Sequence, residues 1–186
     1  MLRGAHVLLR PVLRDDVAQL HAWSAGHDEW ALTSDRPYVP STAEDALKGY
    51  DAGERWRATD DKVPWAVEAD GGLAGYVTLW GIDSFNRKAH LGIALAPHAR
   101  GRGWGSDTCR VLLRYAFRDR GLHRVQLEVL ATNTAAQRAY LAAGFVVEGT
   151  YRQSGWVDGA FVDEVVMAAL ATDLTPDPAG TSQVDA

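Results

Sequence analysis

The stretch "ARGRGWGSD" at residues 99 to 107 sets Gly101, Gly103 and Gly105 among Arg100, Arg102 and Trp104, directly before an amphipathic segment that reads as a helix. A helix start leaves several backbone N–H groups without partners, and the macrodipole makes that end partly positive. Glycines clear away the Cβ atoms that hold a bulky anion off the main chain, and they permit the dihedrals of an N–H nest. Strand, then "RGRGWGS", then helix is the arrangement a diphosphate needs. A plain flexible turn has the same composition, so the loop alone does not decide between the two. No lysine of a GK[ST] phosphate loop follows, and the third glycine comes one residue too early for the dinucleotide pattern GxGxxG.

Around this loop the charge is uneven. Between Arg100 and Arg124 stand seven arginines against Asp107 and Asp119, within a chain of net charge −5. A solvated helix face accounts for most of that surplus, and a polyphosphate near the helix start accounts for the rest. The acidic whole argues against general nucleic-acid binding and suits cationic partners. The 186 residues, 47% of them apolar and 23% charged, read as one domain over 1–172 with a disordered tail over 173–186. No segment reads as a membrane span or a signal peptide, and Cys109 is the only cysteine, which excludes an internal disulfide and a cysteine-built metal site. A cytoplasmic location is the expectation.

The elements that must carry the loop are legible in outline. "HVLLRPV" reads as a strand, "LRDDVAQLHAWSA" as a helix, residues 26 to 40 as a loop, and "STAEDALKGY" as a second helix with a Ser/Thr cap. "VPWAVEA" and "LAGYVTLWGI" read as strands joined at "DGG", and "AHLGIALAP" as a strand stopped by Pro97. A helix over 105–121, the strand "HRVQLEVLA", the short helix "NTAAQRAYLAAG" and two strands around "GWVDG" complete the order. The expected class is α/β (α+β): a mixed, mostly antiparallel sheet of about six to seven strands flanked by about four helices. Trp65 and Trp80 are expected in the core. Asn133 and Tyr140 are seven residues apart on one helix face, about 10 Å along the axis.

Together, "LGIALAPHARGRGWG", "GLHRVQLEVLATN", "NTAAQRAYLAAGF" and "GFVVEGTYRQSGWVDGAFVDEVVM" resemble the GNAT N-acetyltransferase superfamily, and within it the RimJ/RimL-type branch, over about residues 5 to 171. The resemblance implies the GNAT acyl-CoA N-acyltransferase fold and direct acetyl transfer from acetyl-CoA to a primary amine, without a metal. It implies that the main chain of Arg100, Gly101, Arg102, Gly103, Trp104, Gly105 and Ser106 holds the diphosphate. Ile93, Ala94 and Leu95 would pair with the pantetheine amides as an added strand does, and Asn133 and Arg138 would contact the cosubstrate. Tyr140 would protonate the departing thiolate, although Ala136, Ala139 and Ala143 also give it a packing role. Ala136 stands where relatives often carry a serine.

An alkylamine is almost wholly protonated at pH 7, so a base must free it. The family often places a glutamate in an "AEIG"-like strand, and here "AHLG" puts His90 at that position. Histidine accepts a proton near neutrality; Glu128, whose burial among valines and leucines is expected to raise its pKa, and Asp83 compete for the role. Trp30, Tyr38, Asp83 and Trp156 are expected to wall the acceptor site, whose occupant is a small-molecule or peptide amine. The resemblance alone suggests a homodimer. A non-catalytic acyl-CoA-binding protein of the same fold and, more remotely, a dinucleotide-binding domain are the alternatives.

Overall fold

The computed structural model describes residues 1–24, 26, 38–54 and 56–173. Its strands are β1 (Leu2–Arg3), β2 (Val7–Arg10), β3 (Lys62–Ala69), β4 (Gly72–Asp83), β5 (Lys88–Leu95), β6 (Arg124–Leu130), β7 (Val146–Val157) and β8 (Ala160–Leu170). The helices among the described residues are α1 (Arg14–Ser24), α2 (Ala43–Asp51), α3 (Trp104–Arg114, continued by a π turn Tyr115–Asp119) and α4 (Thr134–Ala143). One sheet takes all eight strands in the order β1-β2-β3-β4-β5-β6-β8-β7. The mixed, mostly antiparallel architecture is the expected one. The strand count exceeds the expectation because β1, only two residues long, leaves no periodic trace in the sequence. The tail over 174–186 and most of the expected loop at 26–40 lie outside the described residues.

Two hairpins close on Asp-Gly pairs. Asp70 and Gly71 take φ of 51° and 76°, and Asp158 and Gly159 take 50° and 78°. Both positions of each turn are therefore left-handed, as a two-residue turn matching strand twist requires. The second turn sits at Asp158–Gly159, so Gly155 and Trp156, expected in a loop, belong to strand β7.

Alternation along the strands divides the sheet into two faces. Ala89, Leu91, Val125 and Leu127 face a core that also contains Cys109, Leu112, Leu113, Tyr140 and Phe145 from the α3–α4 side. On the opposite face Ala66 and Tyr76 pack with Val12, Val17 and Leu20 under α1 and α2. Thr42 caps α2 through a capping box with Asp45, as read from the sequence.

The α1 layer is pinned by a charge cluster. Arg10 donates to Asp16 at 2.6 Å and to Glu68 at 2.9 Å, and Asp16 also accepts from the Leu13 amide at 2.7 Å. Burial pushes the Asp16 carboxyl up, but the Arg10 guanidinium and the Leu13 amide outweigh it and hold it below the ordinary aspartate range. Asp16→Ala is expected to cost about 2 kcal/mol at neutral pH, because it strips a half-buried cation of a partner. A depressed carboxyl contributes stability above its unfolded pKa and loses it as pH falls through the folded value. Urea unfolding at pH 7 and pH 3 should therefore show the gap between variant and parent narrowing below about pH 4.

Candidate active site

The loop before α3 has the dihedrals of a nest. Gly101 and Gly103 take φ of +73° and +78°, a region that side-chain-bearing residues enter at a cost. Gly103 is the N-cap of α3 and no side chain caps the helix there. The first helical bond runs from the Asp107 N–H to the Gly103 carbonyl at 3.1 Å, and the Arg100 N–H reaches Pro97 O at 3.3 Å. Among the described residues no acceptor stands on the amides of Gly101 through Ser106, and a Cβ at Gly101 or Gly103 would meet nothing within 4 Å. The nest is thus open and supplied with donors, as an anion site requires. Gly105 has ordinary helical dihedrals and lies against Leu95 and Ala139, so its smallness serves the approach of β5 and α4 to the loop.

The loop's own side chains are partly committed. Arg102 pairs with Asp70 at 3.2 Å and lies over the Trp104 ring, Trp104 itself is buried, and the Ser106 hydroxyl donates to Gly103 O at 2.9 Å. Arg100 Nε donates to Leu95 O at 3.0 Å, so one carbonyl of the expected pantetheine strand is already engaged. Buried Asp107 accepts from the His6 and Val7 amides at 2.7 and 3.2 Å, tying the first turn of α3 to β2. Nothing in the sequence marks this latch, since Asp107 reads as an ordinary first-turn acid.

Beside the nest the sheet opens. Strand β5 pairs with β6 in parallel only at Lys88–Arg124, Ala89–Val125 and His90–Gln126, while β6 runs on beside β8 as far as Leu130. From Leu91 to Leu95, Ile93 and Ala94 included, no described strand pairs with this edge of β5, which faces a notch between β5 and β6. That exposed ladder suits an extended amide chain.

Where β5 and β6 part, the two faces of the sheet differ in chemistry. On one, His90 stacks on Trp80 with centroids 4.4 Å apart, its Nδ1 lies 3.4 Å from Glu128 Oε2, and its Nε2 lies 3.4 Å from Gln126 Nε2. His90 Nδ1 is buried and its approach to Glu128 is too oblique to count as a formed hydrogen bond. The neighbouring imidazole holds the Glu128 carboxyl below the ordinary glutamate range in spite of burial. The expected upward shift of Glu128 is therefore wrong: burial does push the carboxyl up, but the adjacent His90 imidazole outweighs it. Trp80 is not core either: it is 43% exposed, and among the described residues no helix covers this end of the face.

On the other face stands Tyr140, 8% exposed, edge-on to Phe145. Burial pushes its phenol well above the ordinary range. Its hydroxyl makes no hydrogen bond with any described residue, an uncommon state for a buried tyrosine. Burial also pushes the Cys109 thiol up to about 12, which removes it as a nucleophile at neutral pH.

The remaining expectations are not brought together. Asn133 caps α4 by accepting from the Ala136 amide at 3.1 Å, which leaves its NH2 as a donor. Arg138 is exposed on α4. Asp83 holds the Asn86 amide and side chain in the β4–β5 turn, and those bonds depress its pKa, which makes it a turn residue and not a base. Trp156, 63% exposed, sits on β7 against Phe161. Tyr38 lines a cavity of about 260 Å³ under α1 and α2 with Trp56 and Tyr76. Trp30 lies outside the described residues. Gln126 and Arg124 were missed as neighbours of His90, because strand register cannot be read from one sequence.

Gly103→Val tests the nest. A β-branched residue strains at positive φ by roughly 1–3 kcal/mol and turns the amides away. Calorimetric titration is expected to show coenzyme A binding weakened at least about 10-fold, with Arg102→Ala weakening it less.

Four similarities accompany this geometry. The family described as "Acetyltransferase (GNAT) domain" matches residues 6–146. "Spermidine N(1)-acetyltransferase" of Escherichia coli (strain K12) is 26% identical over 179 residues, covering 93% of this chain and 94% of that protein. "Putative ribosomal N-acetyltransferase YdaF" of Bacillus subtilis (strain 168) is 34% identical over 101 residues, and the match spans only 55% of that protein's length. Among solved structures, spermidine N-acetyltransferase from Vibrio cholerae in complex with CoA and spermine is similar with a TM-score of 0.80 at 23% identity, covering 91% of this chain and 98% of that one.

Proposed function

The chain belongs to the GNAT acetyltransferase family, and from that membership we propose that it transfers an acetyl group from acetyl-CoA directly to a primary amine of a polyamine-like cation within a ternary complex. The observation that carries the proposal is the notch: a β5 edge that no described strand pairs on one side, an open amide nest at its mouth, and the His90–Glu128 pair where β5 and β6 part. In this reading the Gly101–Ser106 amides bind the diphosphate and the Ile93–Ala94 main chain aligns the pantetheine arm. Acetyl-CoA supplies the thioester, whose carbonyl carbon is the electrophile.

The chain's own residues divide the proton work. The amine approaches over the Trp80–His90–Glu128 face, where a carboxylate and an indole favour a cation. His90 takes the ammonium proton at Nε2 and Glu128 steadies the imidazolium that results. Tyr140, neutral at any physiological pH, delivers its proton to the departing sulfur from the opposite face.

The sequence pattern resembles the RimJ/RimL-type branch, and the ribosomal relative leans the same way. The spermidine relatives match over nearly the whole chain, and with the Glu128 carboxylate beside His90 they favour a polyamine over a protein terminus. Incubation of the full chain with acetyl-CoA and a panel of polyamines, aminoglycosides and N-terminal peptides, followed by mass analysis, tests this. The expected product is a mono-acetylated polyamine, gaining about 42 Da per acetyl group. Coenzyme A binding without any acetylated product would favour the non-catalytic alternative.

A further inference from the structure

His90 is the end of a directed chain of polar groups. The Glu148 carboxylate accepts from Arg124 at 2.8 Å, Arg124 Nε donates to Gln126 Oε1 at 3.0 Å, and Gln126 Nε2 lies 3.4 Å from His90 Nε2. A guanidinium has donors only, so the Gln126 amide must turn its oxygen to Arg124 and its NH2 to His90. An amide NH2 cannot accept. The His90 nitrogen facing it must therefore present a lone pair, and the ring proton must sit on Nδ1, toward Glu128.

We propose that Arg124 and Gln126 are positioning residues that set the tautomer of His90, holding the lone pair at Nε2 and the proton at Nδ1. This rests on the reading of His90 as the proton acceptor. At 3.4 Å the Gln126 contact is long enough to yield to an incoming N–H, so it orients the ring without sealing it. The other charged groups on this face do not compete. Lys62 on β3, opposite Trp80, is held by Glu54 O at 2.8 Å. Lys88 opens β5 and can only donate. Glu164 on β8 lies opposite Leu130, two residues beyond Glu128. On β7, Glu148 is committed to Arg124.

Long-range 1H–15N spectra of the histidine-labelled full chain, with the ring assigned by its loss in His90→Gln, read the tautomer directly. The expected result in the parent is the Nδ1–H form at neutral pH. Gln126→Glu replaces the donor by an acceptor: the proton should move to Nε2, and the acidic limb of kcat/KM should move up by about one pH unit. The rate at pH 7 should then fall about 10-fold with the KM for acetyl-CoA changed less than about twofold. Gln126→Met keeps the length, removes the donor and should give a mixture of tautomers, as should Arg124→Met. An Nε2–H form in the parent, or an unchanged tautomer in all three variants, overturns the proposal. Because the spectra need no turnover, the tautomer can be upheld even where His90→Gln retains full activity, an outcome that would remove only the catalytic reading.

Discussion

Tyr140→Phe is expected to lower kcat by about 100-fold or more while leaving the KM for acetyl-CoA and the melting temperature nearly unchanged. Two properties of this side chain combine. The ring is buried against Phe145, and phenylalanine fills the same space. Among the described residues the hydroxyl has no hydrogen-bond partner to lose, so deleting it leaves no orphaned group there. A packing role alone would therefore give near-normal rates. A proton donor to the leaving sulfur gives a rate loss without a stability loss. Burial keeps the phenol protonated far above neutrality, so the basic limb of the parent's pH profile should not belong to Tyr140. Steady-state kinetics with parallel thermal unfolding checks both halves.

His90→Gln should reduce kcat/KM at pH 7 by about 100-fold, and the loss should shrink as pH rises. An alkylamine with a pKa near ~10 is mostly protonated at neutrality, and its free fraction grows about tenfold per pH unit below that value. A variant without a base depends on that free fraction, so its rate should climb steeply between pH 7 and 9. The parent should climb less, because His90 takes the proton for it. Parallel profiles with the same slope would assign His90 to structure.

The sequence displays most of the scaffold for physical reasons visible at single residues. The Asp-Gly pairs at 70–71 and 158–159 demand left-handed turns, the Thr42–Asp45 box starts α2, and Gly144 at φ 105° ends α4. The glycine loop is legible because few other reasons exist to strip side chains from a helix start. What stays hidden is lateral. That β5 parts from β6 after His90, that Asp107 reaches back to β2, and that Gln126 faces His90 all depend on register between distant segments, which no local pattern encodes. Trp80 misleads because a tryptophan in a strand normally packs inward, and here it forms the wall of an open face. Asn133 and Asp83 carry a cap and a turn in the structure, tasks that use the same side chains that bind ligands and that no local pattern tells apart.

The central claim is that the backbone amides of Gly101 to Ser106 hold a diphosphate whose thioester lies in the notch between the His90 and Tyr140 faces. Backbone 1H–15N spectra recorded while coenzyme A is titrated into the full chain test it most directly. Saturable shifts concentrated at residues 101–106 and along Leu91–Leu95 are the predicted result. Binding that leaves those amides unmoved, or no binding at all, would contradict it.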